Sequence, residues 1–194
     1  MSRPKIKRPP KLNFEINLTN YLLLIKVAFL HPLAYVDQIP ESKNLIKPLT
    51  FYTANVGISY LLAAVWDQFS NLNHPSIFFA LSQLVLLVPL ITLSLLVSCS
   101  ILFAIARLLK GKASFKQTFN ILCYSFLPVI FLNLPYINLI AFLWMLFLAI
   151  SGFQRINQYP ILSAIINIIL PVLIIALLGV ILGVIGSLRF SVPL

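Results

Sequence analysis

Thirty consecutive residues, Ile77 to Ala106, carry no charged side chain, and four further segments come close to the same condition. A helix rising about 1.5 Å per residue needs roughly 20 apolar residues to cross a hydrocarbon core about 30 Å thick. That layer offers no water to the backbone, so a spanning segment must satisfy its own amides, and an uninterrupted apolar run does so as a helix. These runs therefore predict an all-α, polytopic membrane protein. Composition agrees: hydrophobic residues fill 60% of the 194 positions and charged residues 9%, whereas soluble domains carry about a quarter charged residues.

Five spans are expected: Leu49 to Trp66, Ile77 to Ala106, Phe119 to Leu132, Tyr136 to Gly152 and Ile161 to Leu188. The second is longer than one perpendicular crossing requires, so it either tilts or starts at the interface, with Pro89 marking a kink. The third and fourth are short and joined by "NLP"; they read as a transmembrane hairpin or as a re-entrant pair. Ahead of them, residues 1–47 read as a basic cytoplasmic tail followed by an amphipathic helix at the membrane surface, and residues 48–194 as the five-helix membrane domain. The helix is placed by Leu18, Tyr21, Leu22, Ile25, Phe29 and Leu30, which recur at helical spacing in a stretch interrupted by Lys26 and His31-Pro32. The same stretch mimics a secretory signal, but it lacks a convincing small-residue cleavage site and is expected to be retained.

Charge gives the orientation. With the N-terminus inside, the Asp67 to Ser76 loop and the "NLP" turn are outside and hold no Lys or Arg, while Arg107, Lys110, Lys112, Lys116 and Arg155 are inside. Of the 14 basic residues only Arg189 is left outside, as the positive-inside rule requires. The net charge of +10 thus reads as a topology signal facing anionic lipid, and no aromatic and basic surface points to nucleic acid.

Reactive chemistry is sparse. The acids are Glu15, Asp37, Glu41 and Asp67, the histidines His31 and His74, and the expected topology puts the two histidines on opposite sides. No metal-binding histidine pair, nucleophile elbow or phosphate-cradling glycine loop is present, so no catalytic residue, metal or cofactor is assigned. An enzyme acting on lipid would need a pair assembled from interfacial residues such as His31, Asp37 and Glu41. Cys99 and Cys123 lie inside apolar runs and read as small core residues. Asn55, Asn120, Asn133, Asn138 and Asn167 read as inter-helix glue, with an uncharged polar pathway as the alternative, and Gly179 and Gly183 form a G-x-x-x-G packing pair.

The stretch "RLLKGKASFKQTFNILCYSFLPVIF" joins these themes. Arg107, Lys110, Lys112 and Lys116 are candidate contacts for a partner or lipid headgroup, although a topology signal alone has the same pattern. Ser114 is placed to cap the following helix. Pro128 cannot donate to the Tyr124 carbonyl, and the Ser125 hydroxyl is placed to compensate locally.

The order of "VAFLHPLAYVDQIPESKNLIKPLTF", "LLKGKASFKQTF" and "CYSFLPVIF" along a five-span layout resembles the Yip1-domain family over roughly Val27 to Gly186. The resemblance implies a five-helix membrane domain with a cytosolic N-terminus. In eukaryotic members it implies vesicle traffic and prenylated Rab-type GTPases. Tyr124 and Pro128 match the family's glycine-tyrosine-x-x-x-proline pattern, with Cys123 in place of the glycine. "NLIKPLTF" stands where the family carries an acidic residue and a glycine, and no long acidic cytosolic domain is present. The short basic N-terminus is similar to small prokaryotic members. The expected function is a non-enzymatic scaffold or adaptor in a bacterial inner membrane, with an endomembrane as the alternative location. It would organise lipids, a membrane-protein partner or further copies of itself. A small channel or transporter component is the second expectation.

Overall fold

A computed structural model describes residues 10–14, 17–41, 44–69, 77–171 and 173. Among these residues the regular structure is all helical, with no strand. Two short helices come first, α1 (Leu18–Leu30) and α2 (Pro32–Asp37). They are followed by α3 (Ile46–Phe69), α4 (Ile77–Leu108) and α5 (Phe115–Ser125). A 3-10 helix at Leu127–Phe131 leads to α6 (Asn138–Asn157), and α7 (Ile161–Pro171) closes the described chain.

Local chemistry explains the boundaries. The Asn17 side chain accepts the Thr19 N–H at 3.1 Å and starts α1, and Pro32 opens α2, where its missing N–H costs nothing. The Asn44 amide oxygen accepts the Ile46 N–H at 2.9 Å, so α3 begins three residues before the expected Leu49, with Pro48 in its first turn. Ser114 and Gln117 form a reciprocal capping box at the head of α5, which is the role expected of Ser114.

Among the described residues, three helices are long and apolar enough to cross a membrane: Ile46–Trp66, Pro89–Leu108 and Asn138–Asn157, with mean hydropathies of 1.3, 2.3 and 1.8. The expected third span is not one helix. It breaks after Ser125, passes through Phe126 and resumes as the 3-10 turn containing Pro128. At about 1.5 and 2.0 Å per residue the two pieces have a contour of about 26 Å, shorter than the hydrocarbon layer. Turns at residues 132–137 reverse the chain into α6, and the broken helix packs against α6 as a hairpin. Only the start of the expected fifth span is described; Gly179, Gly183 and most of the Asp67 to Ser76 loop lie outside the described residues.

α5 is the centre of the bundle. It packs against α3, α4 and α6, and every residue from Thr118 to Ser125 is buried. A membrane helix enclosed on all sides can carry Thr118, Asn120 and Ser125, because none of them faces lipid. The fully buried Cys99 and Cys123 belong to the same core as small apolar-like side chains.

α1 forms where its periodicity places it, and its apolar residues are shared between the bundle and the outside. Tyr21, Leu24, Val27 and Ala28 are buried, whereas Leu18, Leu22 and Leu30 remain exposed. In a membrane protein, lipid is as apolar as the core, so hydrophobicity does not distinguish the two faces of a helix.

Candidate functional site

The basic stretch ends α4 with a paired backbone stop. The Lys110 N–H bonds the Arg107 carbonyl at 3.0 Å, and the Gly111 N–H bonds the Ala106 carbonyl at 2.7 Å. This is a Schellman geometry, and it places Lys110 at φ 62°, a left-handed conformation that glycine usually occupies. Gly111 is required for another reason. A Cβ there would sit 2.3 Å from Asn157 Oδ1 and 2.8 Å from the Ala106 carbonyl oxygen.

That contact anchors the loop to the end of α6. Asn157 is buried, its Oδ1 accepts the Ala113 N–H at 3.2 Å, and its Nδ2 donates to the Phe153 carbonyl at 3.1 Å. Next to it, Lys112 Nζ donates to Gln158 Oε1 at 3.0 Å. Arg107 lies over the Phe103 ring, 5.1 Å from its centroid, a cation–π geometry. Arg107, Lys110, Lys112 and Lys116 are all exposed. The four candidate cations therefore sit on one loop and adjoining helix ends, held from beneath by an asparagine that sequence reasoning missed.

A second polar cluster lies beside this loop. Asp37 at the end of α2 pairs with Arg155 of α6. Gln117 Nε2 donates to Glu41 Oε1 at 3.4 Å, and Asn120 Nδ2 donates to the Pro40 carbonyl at 3.3 Å. Asp37, Glu41, Gln117, Asn120 and Arg155 line a cleft of about 170 Å³. Asp37 and Glu41 are thus brought together, but His31 does not line the cleft, so the three interfacial residues do not assemble into one site.

Tyr124 and Pro128 lie in the bundle core, away from the surface. The Tyr124 carbonyl, released by Pro128, accepts the Tyr35 hydroxyl at 2.9 Å. The expected donor, Ser125, does not do this, and its buried hydroxyl has no hydrogen-bond partner among the described residues. The carbonyl freed by the proline is reached instead by the long phenol of Tyr35 from α2. The Tyr124 ring packs on Phe51 and Phe14 at centroid distances of 4.8 and 4.9 Å. Nearby, the Tyr21 hydroxyl donates to Asn55 Oδ1, and Asn55 Nδ2 donates to the Phe51 carbonyl at 2.7 Å. Asn167 Nδ2 donates to the Tyr159 hydroxyl at 2.8 Å. The Asn55 amide thus joins α3 to α1, the role expected of helix glue, whereas the Asn167 amide bonds the tyrosine just ahead of its own helix.

An all-helical bundle with apolar spanning helices and a cationic loop at one end defines an integral membrane protein embedded in a lipid bilayer. The chain belongs to the Yip1 domain family, whose model matches residues 26–183. Neither the curated proteins nor the solved structures include a significant match to it.

Proposed function

We propose that the chain is a non-enzymatic scaffold or adaptor of a bacterial cytoplasmic membrane, with its N-terminus cytoplasmic and its C-terminus exterior. It holds a membrane partner, protein or anionic lipid, against the surface formed by Arg107, Lys110, Lys112 and Lys116. The observation that carries this reading is the anchoring of that loop. A helix stop, a glycine in contact with Asn157 and a capping box fix its backbone, while all four cations stay exposed. A surface fixed before binding loses less conformational entropy when a partner arrives.

Crosslinking in native membranes, followed by mild extraction and mass spectrometry, tests it. The intact protein is compared with a Lys110→Ala/Lys112→Ala/Lys116→Ala variant of equal abundance and topology. A partner or lipid enriched with the intact protein and lost with the variant supports the adaptor reading. Equal capture by both proteins, or no specific capture by either, overturns it and leaves the cations as topology determinants.

A further inference from the structure

At the other end of α6 a groove opens between that helix and α1. Its walls are Ile25, Lys26 and Phe29 of α1, Phe131 at the end of the 3-10 turn, and Ile140 and Ala141 of α6, and they enclose about 450 Å³. Ala141 lies about 21 Å along α6 from Arg155, at 1.5 Å per residue. The groove is therefore far from the basic loop and independent of the function proposed for it.

The walls are built before any ligand arrives. Phe29 stacks on Trp144 with rings 2° from parallel and meets Phe131 edge-on at 5.9 Å, and Trp144 Nε1 donates to the Ala28 carbonyl at 3.0 Å. Around the mouth, Leu30, Ile137 and Ile140 are exposed, an apolar rim of the kind that faces hydrocarbon in a membrane protein. Lys26 is the exception. It is exposed, lines the groove, and has no acidic partner among the described residues.

A lone ammonium on an apolar wall is costly unless it meets an anion or reaches water, and a lysine does so by laying its methylene stem along the wall with the charge at the rim. The bilayer supplies a matching molecule, with an apolar chain for the walls and a phosphate for the charge. We propose that the groove is a binding site for a bilayer phospholipid of net negative charge, its acyl chain against Phe29, Phe131 and Ile140 and its phosphate on Lys26.

The chain has two tryptophans, so a Trp66→Phe variant leaves Trp144, which backs the groove wall, as the sole indole. Its fluorescence is measured in vesicles of phosphatidylcholine and phosphatidylglycerol in equal parts, with bromine carried on the acyl chains of one lipid or the other. Brominated phosphatidylglycerol is expected to quench Trp144 with roughly five-fold preference over brominated phosphatidylcholine. Lys26→Ala removes the preference and Lys26→Arg retains it, while both leave helical content unchanged. Equal quenching by the two lipids, a preference that survives Lys26→Ala, or no quenching by either because a second copy of the chain covers the groove would each overturn the proposal.

Discussion

Replacing Gly111 by alanine strikes the anchor of the basic loop. The new Cβ would lie 2.3 Å from Asn157 Oδ1 and 2.8 Å from the Ala106 carbonyl oxygen. The Asn157 amide can swing away only by giving up the Ala113 N–H, which it holds at 3.2 Å, and the Ala106 oxygen is main chain. Overpacking costs about 1–3 kcal/mol, and a buried N–H left without an acceptor costs about 1–3 kcal/mol. Gly111→Ala is therefore expected to cost about 3 kcal/mol, and Asn157→Ala, which loses the bonds without the clash, about 2 kcal/mol. In the double variant the Ala113 bond is lost only once and the clash with Oδ1 vanishes. The pair should then cost about 3 kcal/mol instead of about 5, a coupling of about 2 kcal/mol. Reversible unfolding of the four proteins in mixed detergent micelles measures the cycle. Additivity within about 0.5 kcal/mol, or an unchanged Gly111→Ala midpoint, would refute the contact that this reasoning rests on.

Tyr35→Phe removes the hydroxyl from the carbonyl that Pro128 frees and should destabilise the fold by about 1–2 kcal/mol. In a Pro128→Ala background, where the carbonyl can regain a helical donor, the same change should cost less; equal costs in the two backgrounds would argue against the pairing. Lys110→Gly relieves a left-handed residue and should raise stability by about 1 kcal/mol, read from the same unfolding titration, with any loss counting against the helix-stop geometry. Asp37→Asn should change stability by less than about 1 kcal/mol, because the side chains of Arg155 and Asp37 are 48% and 60% exposed and water screens the pair; a larger loss would mean that the pair is shielded. Burial, chiefly, holds the Tyr35 phenol well above its ordinary value of 10.0. Its contribution to stability is therefore complete below about pH 10, where the unfolded phenol is also protonated, and is lost as pH rises beyond that. An unfolding midpoint that stays flat through this alkaline range in the parent, or one that falls as much in Tyr35→Phe as in the parent, would contradict that assignment.

The amino-acid sequence by itself determined the class of this protein. Apolar runs such as Ile77 to Ala106 have one stable form in hydrocarbon, and the cations flanking them carry their information in position alone. Local signals were equally legible: Ser114 followed by Gln117 is a cap at any site, and Pro128 breaks whatever helix contains it. Tertiary structure alone decided which faces are buried, because lipid and core are equally apolar and a stripe such as Leu18, Leu22 and Leu30 does not reveal which way it points. It also decided the partners of polar groups. Tyr35 reaches the Tyr124 carbonyl across 89 positions of chain, Asn157 meets Ala113 across 44, and Arg155 finds Asp37 across 118. Each of those pairs depends on how helices cross, which no spacing within one helix encodes. The groove at Lys26 has the same origin: a lysine that interrupts an apolar stretch in the sequence becomes, once α1 docks beside α6, the charged rim of an apolar wall.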